Sequence, residues 1–341
     1  MNEVKPISRS KCPSTFDSGD VFFSLVDYRN SRFTGKNPDK IIEFYDSFKN
    51  RGDLIEWMKE RPKGAAYIHE VEGNKDIVVV IPTADFNGKY ARECRENIFK
   101  GLHLIFVESA EIPDPYFNYA HNCNIGICKA MEYNPKWVIL SNDDMKKIDD
   151  VEVLVRSLKS LEGAVDIVFT KQETRTVING TTQDVVRENL IGRFLFKFFK
   201  YFSLFISLSH LNLRNRIIAS EKFNVRYHIQ PKMKPIYYNL FFRKVLSFRS
   251  ISDFAIFSGN FCKQKRLLLN EDFVYTNEEQ EFSIKAKVNK EKIGFIDYKI
   301  DSFVASTNAP TTERLQASTL RGITGEVVLD DFIKSLLSIR Q

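Results

Sequence analysis

The sequence predicts an α/β fold built on a mostly parallel sheet. Three observations carry that expectation. Four apolar runs rich in Val, Ile and Leu occur at Asp76–Pro82, Leu102–Ser109, Trp137–Asp144 and Val165–Thr170. Such runs lack polar alternation, which is how strands buried on both faces look. Segments with helical apolar spacing lie between them, and alternation of the two marks an α/β sheet.

Each element has its own justification. Residues 1–35 are polar and irregular, whereas Lys40–Arg61 places Ile41, Tyr45, Phe48, Leu54 and Trp57 near helical spacing, with a break expected at Arg51–Gly52. Helices are predicted at Tyr90–Lys100, Asn124–Tyr133 and Asp150–Leu161, the last with Leu154, Leu158 and Leu161 on one side. Beyond residue 185 the rhythm changes. In Ile191–Arg214 polar residues recur at 193, 197, 200, 203, 207, 210 and 214, one narrow stripe along an otherwise apolar, aromatic helix. A strand is expected again at Asp253–Phe261, a helix at Glu278–Val288, a strand at Lys292–Ile300 and a helical tail at Thr311–Gln341. The chain therefore divides into an N-terminal extension (1–75), a first half of the α/β domain (76–185), a basic aromatic insertion (186–250), a second half (251–305) and the tail (306–341).

Composition bounds the function. The 341 residues are 43% hydrophobic and 28% charged, which excludes a disordered chain. Five cysteines at 12, 94, 123, 128 and 262 are scattered without a CxxC pair. That argues against a disulfide framework or structural zinc and for a reducing compartment. No apolar leader and no run of 18 apolar residues occur, so neither a signal peptide nor a spanning helix is expected. The net charge is +6, yet residues 186–250 hold 13 Lys/Arg against two acids, a local +11 that leaves −5 for the rest. One segment, rather than the whole surface, is thus suited to an anionic partner.

Three constellations bear chemistry. Asn142-Asp143-Asp144 closes a buried strand, at the sheet edge where ligands bind in open α/β folds. Adjacent carboxylates there either cap a turn or share a divalent cation, since Mg²⁺ and Mn²⁺ prefer oxygen ligands. Asn277-Glu278-Glu279-Gln280-Glu281 either opens a helix, where acids suit the macrodipole, or supplies a general base. Asn124-Ile125-Gly126 opens a helix, and a glycine there lets a ligand approach the backbone. The dinucleotide fingerprint, the P-loop, the GxSxG elbow and HExxH are all missing. The five histidines are dispersed and read as structural.

Taken in order, these segments resemble the inverting, GT-A-fold glycosyltransferases of family 2, over roughly Asp76–Asp301. DIVVVIPTAD resembles the family's first strand and its turn, placing Pro82, Thr83 and Ala84 beside a nucleotide-sugar. Glu108 stands where the second strand normally ends in an aspartate near the base. Asn124 and Gly126, followed by WVILSNDD, resemble the run into the DxD motif. Asn142 and Asp143 then belong to the donor site, with Asp144 as metal ligand. FSGNF (Phe257–Phe261) and NEDF (Asn270–Phe273) resemble the acceptor side, which implicates Gly259 and Asn260, together with Glu278 of the segment that follows. TNEEQEFSIKA (Thr276–Ala286) resembles the segment whose second acid is the catalytic base, here Glu279. The resemblance implies a Rossmann-like, GT-A-type sheet and a Mn²⁺ or Mg²⁺ cofactor. It also implies a nucleotide-diphosphate sugar donor and a glycan or lipid-linked acceptor. The alternative is a GT-A-like scaffold without catalysis that binds a membrane or a nucleic acid.

The insertion refines the expected location. Arg193, Lys197 and Lys200 line the polar stripe beside Phe194, Phe198, Phe202 and Phe205. Basic amphipathic helices with aromatic faces lie in membrane interfaces, with about 1 kcal/mol per cation near anionic lipid. The expectation is a cytoplasmic enzyme held at the inner membrane face, with packing against a second subunit as the competing use of this segment. A nucleic-acid partner is not expected.

Overall fold

The computed structural model describes residues 48–61, 63–109, 118–170, 180–194, 219–220, 222–231, 242–265, 269–273, 277–302 and 311–338. The chain is an α/β protein with a mixed seven-stranded sheet in the order β1-β3-β2-β4-β10-β6-β11. These strands are β1 (Ala66–Val71), β2 (Asn74–Thr83), β3 (Leu102–Ser109), β4 (Trp137–Ser141), β6 (Ile167–Thr170), β10 (Phe254–Ser258) and β11 (Ile293–Ile296). The pairs β2–β3, β2–β4 and β6–β11 are parallel. Edge strand β1 runs antiparallel to β3, and β10 runs antiparallel to both neighbours.

The central strands are buried for their whole apolar length, as their composition requires: Ile77 to Thr83 in β2 and all of β4 and β10 are inaccessible. One face is covered by α2 (Lys89–Glu93), which widens into a turn at Cys94–Ile98, and by α4 (Val151–Lys159). The other is covered by α3 (Tyr119–Met131), α5 (Gly259–Lys265) and α6 (Glu278–Asn289). Asn50 caps α1 (Arg51–Glu60), its Oδ1 accepting from Gly52 N and Asp53 N. Gly52 therefore starts that helix instead of breaking it.

A second core lies beside the large sheet. A three-stranded antiparallel sheet, β8-β7-β9, is formed by β7 (Thr182–Glu188), β8 (Tyr227–Pro231) and β9 (Phe242–Arg249). It packs with α1 and the long C-terminal helix α7 (Thr311–Ser338) through Leu54, Met58, Val185, Tyr227, Phe248, Val327 and Ile333. A two-stranded ribbon, β5 (Met145–Lys147) with β12 (Ile300–Ser302), completes the sheets.

Several boundaries differ from the sequence reading. β7 runs through the expected 185/186 division. The described part of 186–250 is mainly strand, with a short helical turn at 190–194 opened by Asn189. Lys197, Lys200 and the rest of the striped helix lie outside the described residues. α3 begins at Tyr119, so Asn124 and Gly126 sit within the helix and not at its start. A Cβ on Gly126 would lie 2.3 Å from Val80 Cγ1 and 2.9 Å from Val107 Cγ2. This glycine lets α3 lie close on the sheet, which is a packing role rather than a ligand approach. Among the described residues no helix is long and apolar enough to cross a membrane.

Candidate active site at the sheet edge

The carboxyl ends of β2, β3 and β4 share one edge, and each delivers polar groups there. β2 ends in Thr83 beside buried Pro82 and exposed Ala84. β4 ends at Ser141, so Asn142, Asp143 and Asp144 form the link to β5 instead of continuing the strand. Because β10 runs antiparallel, with Phe254 opposite Ser141, the residue just before it, Asp253, reaches the same edge. The first residue of α3, Tyr119, and the first turn of α6 close the site from the helical face.

Hydrogen bonds fix these groups. Asn142 N donates to Asp253 O at 2.9 Å, and its side-chain Nδ2 donates to Asp253 Oδ1 at 3.1 Å. Tyr119 OH donates to Asn142 Oδ1 at 3.2 Å. Thr83 Oγ1 donates to Asp143 Oδ2 at 2.7 Å, and Cys94 Sγ to Asp143 O at 3.2 Å. Asn142 is thus a clamp between Tyr119 and Asp253, while Thr83 orients Asp143.

The electrostatics are those of crowded acids. Burial raises the Asp143 carboxyl to about 6, reinforced by the neighbouring charge of Asp144. Asp253 is raised to about 6 by burial and again by Asp144. Glu279 stands well above the usual carboxylate range, through loss of water first and then the charges of Glu278 and Asp253. A continuous acidic cluster therefore runs from Asp143 through Asp144 and Asp253 to Glu279 and the buried Glu278. Withdrawal from water and like-charge proximity both disfavour ionisation, so the cluster favours a bound cation or retained protons. Asparagine and carboxylate oxygens are hard donors suited to Mg²⁺ or Mn²⁺. Among the described residues no three His, Cys, Asp or Glu side chains are gathered as a ready metal cage.

Other expected site residues have hydrogen-bond partners of their own, Glu108 among them at the same edge opposite Thr83. Asn124 Nδ2 donates to Leu269 O at 2.9 Å and Glu271 Oε1 at 2.8 Å, while its Oδ1 accepts from Leu269 N at 2.7 Å. Its amide anchors the 269–273 segment to α3. Glu108 accepts from Phe86 N at 2.9 Å and pairs with His69 at 2.7 Å, the imidazole stacking on the Phe86 ring. Gly259 and Asn260 follow the far end of β10. There Gly259 N donates to Lys136 O, and a Cβ on Gly259 would lie 1.8 Å from Pro135 O. Five strand residues separate Gly259 from Asp253, about 20 Å at strand spacing. This direction reversal places Gly259 and Asn260 at the opposite edge of the sheet, beside the start of β4. Arg193 lies half-buried in the 190–194 turn that follows β7.

Sequence reasoning passed over Asp253 and Tyr119. Asp253 carried a usable signal, an acid immediately before a buried apolar strand, but its relevance depends on strand direction. Tyr119 carried none, because its role arises only when α3 starts early.

Compared with known proteins, the chain matches no family model and no curated protein.

Proposed function

We propose that this protein is a metal-dependent glycosyltransferase that moves a sugar from a nucleotide-diphosphate donor to an acceptor hydroxyl with inversion. The observation that carries this reading is the convergence of acids from three separate segments. The β4–β5 link, the start of β10 and the first turn of α6 meet at the edge where open α/β sheets bind ligands. Asp144, with Asp143 and Asn142, would hold Mn²⁺ or Mg²⁺. That ion supplies neutralisation of the diphosphate leaving group. Pro82, Thr83 and Ala84 bound the donor side, and Thr83 keeps Asp143 oriented. Glu279 takes the proton of the acceptor hydroxyl as its oxygen bonds to the anomeric carbon. The bond from that carbon to the diphosphate breaks, and its electron pair leaves with the nucleotide. A glutamate deprived of water beside Glu278 and Asp253 is a stronger base than a solvated one.

We further propose that the acceptor is lipid-linked and that the protein works at an anionic membrane surface. Leu190 and Phe194, 83% and 70% exposed, flank Arg193 at the head of the basic segment. Burying such side chains is worth ~1.5–3 kcal/mol each. Co-sedimentation with anionic and neutral vesicles tests this, using native protein and Lys197→Glu/Lys200→Glu. Charge-selective binding lost in the variant supports it, and absence of sedimentation with any vesicle refutes it.

The transferase reading is tested by titrating UDP, GDP, CDP and dTDP with and without Mn²⁺, followed by donor-sugar hydrolysis in native and Glu279→Gln protein. Mn²⁺-dependent nucleotide binding with turnover lost in the variant is expected. Metal-dependent binding without turnover for any donor sugar would favour a non-catalytic binding module.

A further inference from the structure

We infer that a second site, separate from the acidic edge, binds an amphipathic anion with a short apolar chain. Between β6, β9, β11 and α6 lies a cavity of about 230 Å³. Its walls are mainly apolar, with Phe169, Phe248, Ile251, Phe282 and Ala286 among them. An apolar cavity of roughly 150 Å³ accepts a benzene ring, so this one takes a chain of about eight carbons. The polar groups in the wall are largely committed. Ser283 Oγ donates to Glu279 O and accepts from Ile251 N. Ser247 is bonded to Asp184, a carboxylate that also pairs with Lys244. The interior therefore offers little to a sugar or a nucleobase and much to a hydrocarbon.

The charge at the mouth is of one sign. Arg249 and Lys287 both line the cavity and both are exposed. Arg249 donates to Gly180 O and lies 4.8 Å over the Phe295 ring, which leaves most of its five N–H groups for a ligand. Neither cation forms an ion pair with a carboxylate among the described residues. Ile293 and Phe295, each 37% exposed, add an apolar rim. A hydrocarbon pocket beneath two uncompensated cations is complementary to one ligand class, an alkyl chain ending in a carboxylate or a phosphate. Neither cation takes part in the proposed transfer, so binding here is measured without donor or metal.

The probes are octanoate, octyl phosphate, octanol and acetate, titrated by calorimetry into the full chain. Both octyl anions are expected to bind saturably and to raise the melting temperature, with octanol and acetate at least fivefold weaker. The tighter of the two anions identifies the head group as carboxylate or phosphate. Lys287→Glu should weaken octyl-anion binding at least fivefold, and Ala286→Leu, which fills the cavity, should abolish it. Should Ala286→Leu fail to fold, the exposed Lys287→Glu change decides alone. Octanol binding as tightly as octanoate, no saturable binding by any octyl compound, or unchanged affinity in Lys287→Glu would each overturn the site.

Discussion

At the residue scale the acidic edge makes three measurable claims. Asp144→Ala should abolish the Mn²⁺-dependent part of nucleotide binding and leave the circular dichroism spectrum native, whereas Asp143→Ala should do less. Unchanged metal-dependent affinity in Asp144→Ala would remove it from the donor site. Glu279→Gln should lower turnover by about 10²–10⁴-fold, the usual contribution of a general base, with donor affinity barely altered. A larger loss in Glu278→Gln would transfer the role to that neighbour. The third claim concerns pH. Asp143 and Asp253 hold their protons up to about 6 in the folded chain, above the ordinary aspartate value near 3.9. A raised folded pKa contributes stability that is complete below about pH 4 and is lost as pH rises through about 6. A divalent cation held there would replace those protons, so its stabilisation would appear only where they have left. Thermal melts should therefore show a Mn²⁺-induced rise at pH 7 and almost none at pH 4.5. An equal rise at both would place the cation elsewhere. Asp143, Asp144 and Glu279 were legible as residues because adjacent acids at a strand end and a helix start are conspicuous. Asp253 was not, since no local pattern marks an acid brought close only by tertiary packing.

Among the elements, strand direction is what the sequence concealed. The apolar runs at β2, β3, β4 and β6 announced themselves because burial on both faces demands unbroken hydrophobicity. β10 has the same composition, FAIFS, but composition is indifferent to polarity, and an antiparallel insertion reads like a parallel strand. The reversal brings Asp253 to the site and carries Gly259 to the opposite edge. β1 escaped notice because an edge strand needs only one buried face, and AYIHEV is half-exposed. The fixed seat of Gly259 against Pro135 O gives a prediction. Gly259→Ala forces a methyl group into a backbone carbonyl that cannot rotate aside, costing about 3 kcal/mol or more. Urea denaturation should show a lowered midpoint with little change in slope. A midpoint within error of native would mean that β10 and the β4 approach are not so closely held.

At the scale of the whole molecule, the second core is tied together by one carboxylate. Asp330, fully buried on α7, accepts from Arg226 N at 2.8 Å and Tyr227 N at 2.9 Å and pairs with Arg51 and Lys334 at 2.6 Å each. Arg51 also donates to Val327 O and Phe223 O. Arg51 would keep its pair with Asp331, but the Arg226 and Tyr227 N–H groups would lose their acceptor, at a cost of about 1–3 kcal/mol for each buried donor. Asp330→Ala should lower the melting temperature sharply and loosen α1, β8 and α7 together, seen as faster amide exchange in all three. Slow exchange retained in α1 would show that its seat does not depend on this junction. The helical tail was legible from the sequence, but not that it completes the core begun by Leu54 and Met58.

That junction has a consequence for how the chain is made. Residues 51–58 leave the ribosome some 270 residues ahead of Asp330 and Ile333. The large sheet can assemble once β11 has emerged. The second core must wait for some thirty further residues, with the apolar side of α1 and the strands of the small sheet unburied meanwhile. Vectorial synthesis thus leaves a window in which the second hydrophobic core lacks its last wall. Chains that stall or are cut before residue 323 should be ready clients for chaperones, with the sheet edge already formed and its neighbour still open.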